Sequence, residues 1–520
     1  MKNKVLDVAI IGAGVTGASI ARKLSAYKLD IALIEKETDV AFGVSKANSG
    51  IIHAGFHHPP VTLKSKLEIM GNSMFDQLNR ELHFPFKRCG IIVAAMSVEE
   101  MKTIQELYQR GVNNGVIGIE LCNRSRMLEL EPNLNSDVTG GLYAPTGGII
   151  EPYRFVFSLV ESARKNGVNI ITNFEVVDKR ETNNTYTLIS STGESIKARY
   201  VINASGLYAD KISELFGAKK FKITPRKGEY YLLDKSSSYR PSRVIFPVPT
   251  KISKGILVVP TVEGTTLIGP TAENINDRED FSTSIENFEK IFYATRRLVP
   301  AISERDIITS FAGVRPAAEG GDFIIESYPD VPKFINAAGI QSPGLTASPA
   351  IAEYVKDLLK KQGCRLVEKP DYDPYLDETV KLREMDHSSA DQLFQKDPRY
   401  GNIICRCENV SEAEIVHAIH QGHTTLDGIK FYTRAQMGRC QGGFCSYKII
   451  KIIHRETGLP FEKITKRGRE SYILKGSIED DWKGVVEVTN TSLQGGTTRD
   501  MQTGSPDNNA QSAGGNEGNT

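Results

Sequence analysis

Apolar positions in the first forty residues fall into two short unbroken runs with a helical pattern between them. In "VLDVAIIGAGVTGASIARKLSAYKLDIALIEKE", Val8–Ile11 has the continuous apolarity of a strand buried on both faces. A glycine turn, a helix and a second run, "IALIE", follow. "MKTIQELYQRGVNNGV" keeps the helical pattern, and "MLELEPNL" reads as a helix ended by proline. "RFVFSLVESARKNGVNIITNFEVVDKRE" predicts a helix and then a strand, and "TYTLISSTGESIKARYVINASG" a hairpin followed by a buried strand. From about 222 to 273 the pattern changes to short β-like runs, "EYYLLD", "RVIFPVPT", "GILVVPT" and "TTLIGPT", which predict an antiparallel sheet. "FAGVRPAAEGGDFIIES" and "FINAAGIQSPGLTASPAIAEYVKDLLKK" then give a strand, a glycine turn and a closing helix.

The expected fold is therefore α/β. A Rossmann-like dinucleotide-binding domain is assembled from segments at about 1–80, 150–215 and 305–362. An antiparallel β-rich substrate domain is inserted as segments 81–149 and 216–304, the two together filling 1–364. A charged stretch, 365–400, reads as a linker, and a small domain, 401–476, holds four cysteines. Beyond Trp482 no aromatic residue occurs and Gly, Asn, Thr, Ser and Gln dominate, so 477–520 is expected to be a disordered tail.

Composition narrows the partners. With 40% hydrophobic residues, 24% charged residues and a net charge of +1, the chain reads as an ordinary globular protein with no nucleic-acid-binding charge balance. No apolar run is long enough to span a bilayer, and the N-terminus lacks a cleavage site. A cytoplasmic location is expected, with membrane association at most peripheral, on the inner face. Disulfides are not expected there.

Gly12, Gly14 and Gly17 form G-x-G-x-x-G directly after a strand and at the start of a helix. The first permits the tight turn, the second close approach of a pyrophosphate, and the third close packing of helix on strand. The helix N-terminus faces the phosphates with its partial positive charge. Glu35, ending the next strand, is placed to accept from adenosine ribose hydroxyls. These features predict dinucleotide binding and do not separate FAD from NAD.

"SKANSGIIHAG" and "GIQSPGLTASPA" resemble the D-amino-acid-oxidase-like flavoprotein superfamily over about residues 5–360. Within it the chain most resembles FAD-dependent glycerol-3-phosphate dehydrogenases, especially the anaerobic type. It is also similar to L-2-hydroxyglutarate dehydrogenases, through "NSGIIHAG", "KGEYYLL" and "PVPT". The resemblance implies FAD. It implies that Gly12, Gly14, Gly17 and Glu35 hold the ADP half, that Ser45, Lys46 and Ser49 pass the pyrophosphate and flavin, and that Val176 contacts the adenine through its backbone. The turn containing Gly339, Gly344, Leu345 and Thr346 matches the loop beside the flavin ring, where N–H groups at a helix start stabilise negative charge.

Four cysteines are spaced Cys405-x-Cys407-x32-Cys440-x4-Cys445. Four thiolates suit zinc or an iron–sulfur cluster, and redox thiols are a third reading. Zinc ribbons favour C-x2-C knuckles, which these are not. The pattern resembles the bacterioferritin-associated-ferredoxin-like domain, and that resemblance implies a 2Fe–2S cluster. Cys89, Cys122 and Cys364 lack a partner at motif spacing and read as packing or surface thiols. His417, His420 and His423 read as helix surface.

His53 follows the flavin-contacting segment and is the candidate base; a satisfied buried histidine is the alternative. His57 and His58 read as loop residues, and Tyr230 and Tyr231 as sheet packing. Arg315 matches the arginine that faces the substrate anion, and its fork suits carboxylate or phosphate. Arg226 and Lys227, on a strand that roofs the site, are the further substrate-binding candidates. The resemblance thus implies oxidation of the secondary alcohol of a small anion, glycerol 3-phosphate favoured over L-2-hydroxyglutarate, with electrons leaving through the cluster to an acceptor protein or quinone. A non-catalytic electron-transfer subunit is the remaining reading.

Overall fold

The computed structural model describes residues 4–250 and 254–476. The expected tail, 477–520, lies outside the described residues.

The dinucleotide half is an eight-stranded mixed sheet. Its parallel centre runs Asn169–Ile171, Ile31–Ile34, Val5–Ile11, Ser195–Asn203 and Val331–Ala338. The central strands are buried on both faces, under helices Val15–Leu24, Pro152–Lys165 and Gly344–Lys361 on one side and against Phe174, Tyr186, Leu188, Ile212 and Phe216 on the other. Thr185–Ser190 pairs antiparallel with the start of Ser195–Asn203, the hairpin expected from the sequence, and Val176–Thr182 adds a further antiparallel strand at the edge.

The second half is a nine-stranded sheet. Its longest pair joins Ile223–Leu233 to Ile307–Ala318, antiparallel, with Arg226 directly opposite Arg315. Two expectations change here. Ile307–Ala318 belongs to this sheet and not to the dinucleotide half, so the chain returns to the first sheet only at Ile324–Tyr328. The sheet is also not wholly antiparallel: Val244–Pro247 runs parallel to Ile91–Ala95, because these two strands come from separate insertions.

Residues 365–400 are not a free tether. The Lys369 N–H donates to the Ala26 carbonyl and the Leu376 N–H to the Glu81 carbonyl, both at 2.8 Å, and His387–Lys396 is a helix. The C-terminal unit has helices Glu412–His420, Leu426–Thr433 and Ser446–Thr457, the first started by a Ser411/Glu414 capping box. Its buried Ile415, Ile429, Ile449 and Ile453 continue the apolar core of the dinucleotide half. No helix among the described residues is long and apolar enough to cross a membrane.

Arg434 ties all three units together. Its guanidinium is almost fully buried, donates to Glu151 of the dinucleotide half and to Tyr153 Oη (3.0 Å), and meets Glu408 (3.0 Å) in the cysteine domain. Glu263, on the turn between strands Leu257–Pro260 and Thr266–Gly269 of the nine-stranded sheet, completes the ring at 3.7 Å and also pairs with Arg383 at 3.3 Å. Removing one partner of such a network leaves buried charge uncompensated, at a cost of about 3–5 kcal/mol. Arg434→Met is therefore expected to lower the melting temperature and to make the C-terminal unit an early target of limited proteolysis. A melting curve and digestion pattern matching the wild type would show that Arg434 does not hold the units together.

Candidate active site and cluster site

A cavity of about 770 Å³ lies between the two sheets. Two helix N-termini open onto it, through Val15 of Val15–Leu24 and through Gly344 and Leu345 of Gly344–Lys361. Neither N-cap residue, Gly14 or Pro343, makes a side-chain cap, and of the first-turn N–H groups that of Val15 donates to Ser45 Oγ and that of Gly344 to the Gln341 carbonyl. The glycines divide the work as expected. Gly12 has φ +104°, and a Cβ there would lie 2.4 Å from the Ala204 carbonyl oxygen. A Cβ on Gly17 would lie 1.9 Å from the Gly12 oxygen. A Cβ on Gly14 would meet a single side-chain atom, Ser45 Oγ at 3.0 Å, and no backbone within 4 Å. Ser45 Oγ accepts from the Val15 N–H at 2.9 Å. Glu35 is half-buried, accepts from the Ala13 N–H at 2.8 Å and the Glu37 N–H at 3.1 Å, and desolvation raises its pKa. Val176 lies two residues past Phe174, whose N–H donates to the Glu35 carbonyl.

At the other end, Gly339 has φ +66° and starts the turn into the closing helix. Thr346 Oγ1 accepts from the His53 N–H at 2.9 Å and so fixes His53 against that helix. His53 Nε2 lies 3.2 Å from Ser342 Oγ, and Lys254 Nζ reaches the same hydroxyl at 3.4 Å. Burial, then the Lys254 charge, holds the His53 pKa well below the ordinary histidine range, so the ring is neutral. Arg226 and Arg315 line the cavity beside Ser49 and Tyr230. Arg315 also donates to the Thr271 carbonyl at 2.8 Å, which aims its fork.

Two expected site residues point elsewhere. Strand alternation carries Lys227 to the face opposite Arg226, where Nζ meets Asp280 at 2.8 Å. The Lys46 ammonium lies over the rings of Phe42 (4.2 Å) and Phe431 (5.0 Å), facing the C-terminal unit and not the cavity. Three residues read as bland prove to be wall residues: His57, His58 and Tyr230 all line the cavity. His423 is not helix surface; it is buried, with Nδ1 2.6 Å from Asp39.

The four C-terminal thiols fall into two pairs. Cys407 and Cys440 sulfurs are 3.6 Å apart, close to the span of two thiolates on one tetrahedral metal with bonds of about 2.3 Å. Cys405 and Cys445 hydrogen-bond each other, and that bond holds the Cys405 pKa down to about 6 while raising that of Cys445. Burial works against a Cys440 thiolate, but N–H groups of Phe444, Gly442 and Gly443 aimed at its sulfur lower its pKa overall. That is the use expected of the glycines in "MGRCQGGFC".

A match to the family described as FAD dependent oxidoreductase covers residues 7–358. The chain belongs to that family. A second match, to the BFD-like 2Fe-2S binding domain, covers residues 403–455. Over 479 residues the chain is 47% identical to a glycerol 3-phosphate dehydrogenase of Caloramator mitchellensis, covering 92% of this chain and all of that one. An L-2-hydroxyglutarate dehydrogenase of Nematostella vectensis is 28% identical, over 68% of this chain and 90% of its own length. Among solved structures, L-alpha-glycerophosphate oxidase of Mycoplasma pneumoniae with FAD bound superposes with a TM-score of 0.70 at 32% identity, covering 73% of this chain and all of that one.

The oxidoreductase thus binds FAD in the cavity half and a 2Fe–2S cluster in the C-terminal unit. The residues present fit both groups. Two helix starts that open onto the cavity, with Ser45 Oγ the nearest atom to Gly14, suit a pyrophosphate and a flavin edge, and two thiol pairs suit two irons. Sequence reasoning missed Lys254 and Ser342. Lys254 follows 251–253 in a polar stretch with no motif, and only the tertiary fold brings it to Ser342.

Gly14→Val is expected to abolish FAD binding, since the side chain enters the pyrophosphate's space. Flavin absorbance per polypeptide measures this, and full occupancy would contradict the assignment. Cys405→Ser is expected to remove about two irons and two sulfides per chain, the content of one such cluster, while leaving FAD bound. Iron and sulfide assays on anaerobic preparations read this directly, and zinc in their place would refute it.

Proposed function

We propose that the protein oxidises glycerol 3-phosphate to dihydroxyacetone phosphate and passes the electrons through its cluster to an acceptor protein or quinone. The observation that carries this reading is the cation set at one end of the cavity. Arg226 and Arg315 stand directly opposite each other on paired strands, and Lys254 joins them on the same wall. Like charges directly opposite are unfavourable in a sheet, so the arrangement makes sense around a shared anion. A phosphate dianion suits it, and two relatives named for glycerol 3-phosphate or glycerophosphate support the choice.

FAD, when bound, accepts the hydride of the carbinol carbon, and a 2Fe–2S cluster hands electrons on singly. The chain's own part is binding and proton transfer. Arg315 grips the anion in two places and, with Arg226 and Lys254, sets the carbinol carbon's position. His53, kept neutral by its surroundings, takes the hydroxyl proton. The Thr346 contact fixes its backbone, and Ser342 fixes its ring. L-2-hydroxyglutarate is the second reading, favoured by the relative at 28% identity.

Anaerobic mixing with a substrate panel separates the two. Glycerol 3-phosphate is expected to bleach the flavin fastest, and faster bleaching by L-2-hydroxyglutarate would overturn the proposal. His53→Ala is expected to slow flavin reduction at saturating substrate by about 10²–10⁴. Arg315→Lys keeps charge but loses the fork and is expected chiefly to weaken binding. An unchanged reduction rate in His53→Ala would remove His53 from the chemistry.

Burial first, and the Lys64 and Arg315 charges, lower the Lys254 pKa to about 8 even though Glu68 opposes this. Its ammonium is present below that pH and lost above it. The substrate phosphate, with a second pKa of about 6, is already a dianion there. Binding of glycerol 3-phosphate is therefore expected to weaken as pH rises through about 8, and Lys254→Arg should remove that step. A flat dissociation constant from pH 7 to 9.5 in the wild type would exclude Lys254 from the anion site.

A further inference from the structure

The two thiol pairs are not equivalent. Cys405 and Cys445 are buried against the core shared with the dinucleotide half, whereas Cys407 is exposed and Cys440 half-buried. Around the exposed pair lies an unusual surface. Phe444, next to Cys445, is 83% exposed, and Tyr447, one turn on, is 60% exposed. Lys451 lies over the Tyr447 ring at 4.6 Å. Arg406, Arg439, Lys448 and Lys451 are all exposed here. Only Arg439 has an acidic partner among the described residues, Asp234 at 3.4 Å. No acidic residue occurs between Arg439 and Lys451, and Glu408, beside Cys407, is buried under Arg434 and Lys235.

We propose that this face, Phe444 and Tyr447 ringed by Arg406, Arg439, Lys448 and Lys451, is the docking surface for an acidic soluble protein that accepts one electron at a time. The inference rests on reading the cluster as an electron carrier. Exposed aromatics beside cations, three of the four without an acidic partner among the described residues, are the complement of an acidic surface that surrounds its own redox centre. Each alcohol oxidised to a ketone releases two electrons and two protons, so two encounters, one electron each, discharge one turnover. A membrane occupant fits less well. The helix Ser446–Thr457 turns Ile449, Ile450, Ile452 and Ile453 into the core, so Phe444 and Tyr447 alone remain to insert.

The test uses the oxidised holoenzyme, its iron content confirmed, and binding of a dye-labelled acidic flavodoxin followed by fluorescence anisotropy. No substrate is present, so the outcome does not depend on which alcohol the enzyme oxidises. Saturable binding is expected, weakening as salt rises. Lys448→Glu/Lys451→Glu should raise the dissociation constant at least tenfold, and Phe444→Ala severalfold. Reversal at distant exposed lysines, Lys102→Glu/Lys290→Glu, should change it less than twofold. Flavin bleaching by glycerol 3-phosphate should be unaltered in all of them. Equal binding by Lys448→Glu/Lys451→Glu, or equal weakening by the distant pair, overturns the proposal. So does co-sedimentation with phosphatidylglycerol vesicles by a protein that ignores flavodoxin, since the face would then meet a membrane.

Discussion

One buried guanidinium fixes the geometry on which the rest depends. Arg434 sits where the dinucleotide half, the substrate sheet and the cysteine domain meet, and each unit gives it a carboxylate: Glu151, Glu263 and Glu408. Glu408 directly follows Cys407, and Glu151 directly precedes helix Pro152–Lys165 of the flavin-binding half. A buried arginine is stable only with its partners in place, so the cluster loop cannot drift from the flavin half without stranding charge. The contacts of His423 with Asp39 and of Thr38 with the Arg467 carbonyl (2.7 Å) extend the same seam along the loop after Glu35. The cysteine domain is thereby a fixed part of the enzyme, held against the segment that follows Glu35.

The second constraint is electrostatic. A sheet that sets Arg226 opposite Arg315, with Lys254 nearby, spends stability to concentrate positive charge. Burial first, and then the Lys254 charge, keeps His53 neutral. In the proposed reaction Lys254 would thus serve twice, beside the anion and beside the base. Glu68, buried and raised to about 7 by desolvation, is the counter-charge behind Lys254.

What the sequence made legible follows from how local each signal is. The G-x-G-x-x-G turn, Glu35 and the four cysteines are local patterns whose spacing points to a dinucleotide and to a metal or redox site, while FAD and the 2Fe–2S cluster were implied by resemblance, and the structure puts Gly12, Gly14, Gly17 and Glu35 around one helix start. Lys227 and Lys46 were misplaced because a neighbour in sequence faces the other way on a strand, and a short turn aims one residue inward and the next outward. His57 and His58 carry no periodicity, so only the closure of one sheet over the other reveals them as cavity wall. The strand Ile307–Ala318 was assigned to the wrong half because a buried strand reads alike in either sheet. The Arg434 network was invisible for the most physical reason: its partners are 26 to 283 residues away.

The central claim is that electrons from a small phosphorylated alcohol cross this seam inside one chain. Freeze-quench electron paramagnetic resonance, after anaerobic mixing with one equivalent of glycerol 3-phosphate and no added acceptor, tests it most directly. The account requires a reduced 2Fe–2S signal that grows after the flavin absorbance falls. A bleached flavin beside a cluster that stays oxidised, in protein whose cluster dithionite can reduce, would contradict it.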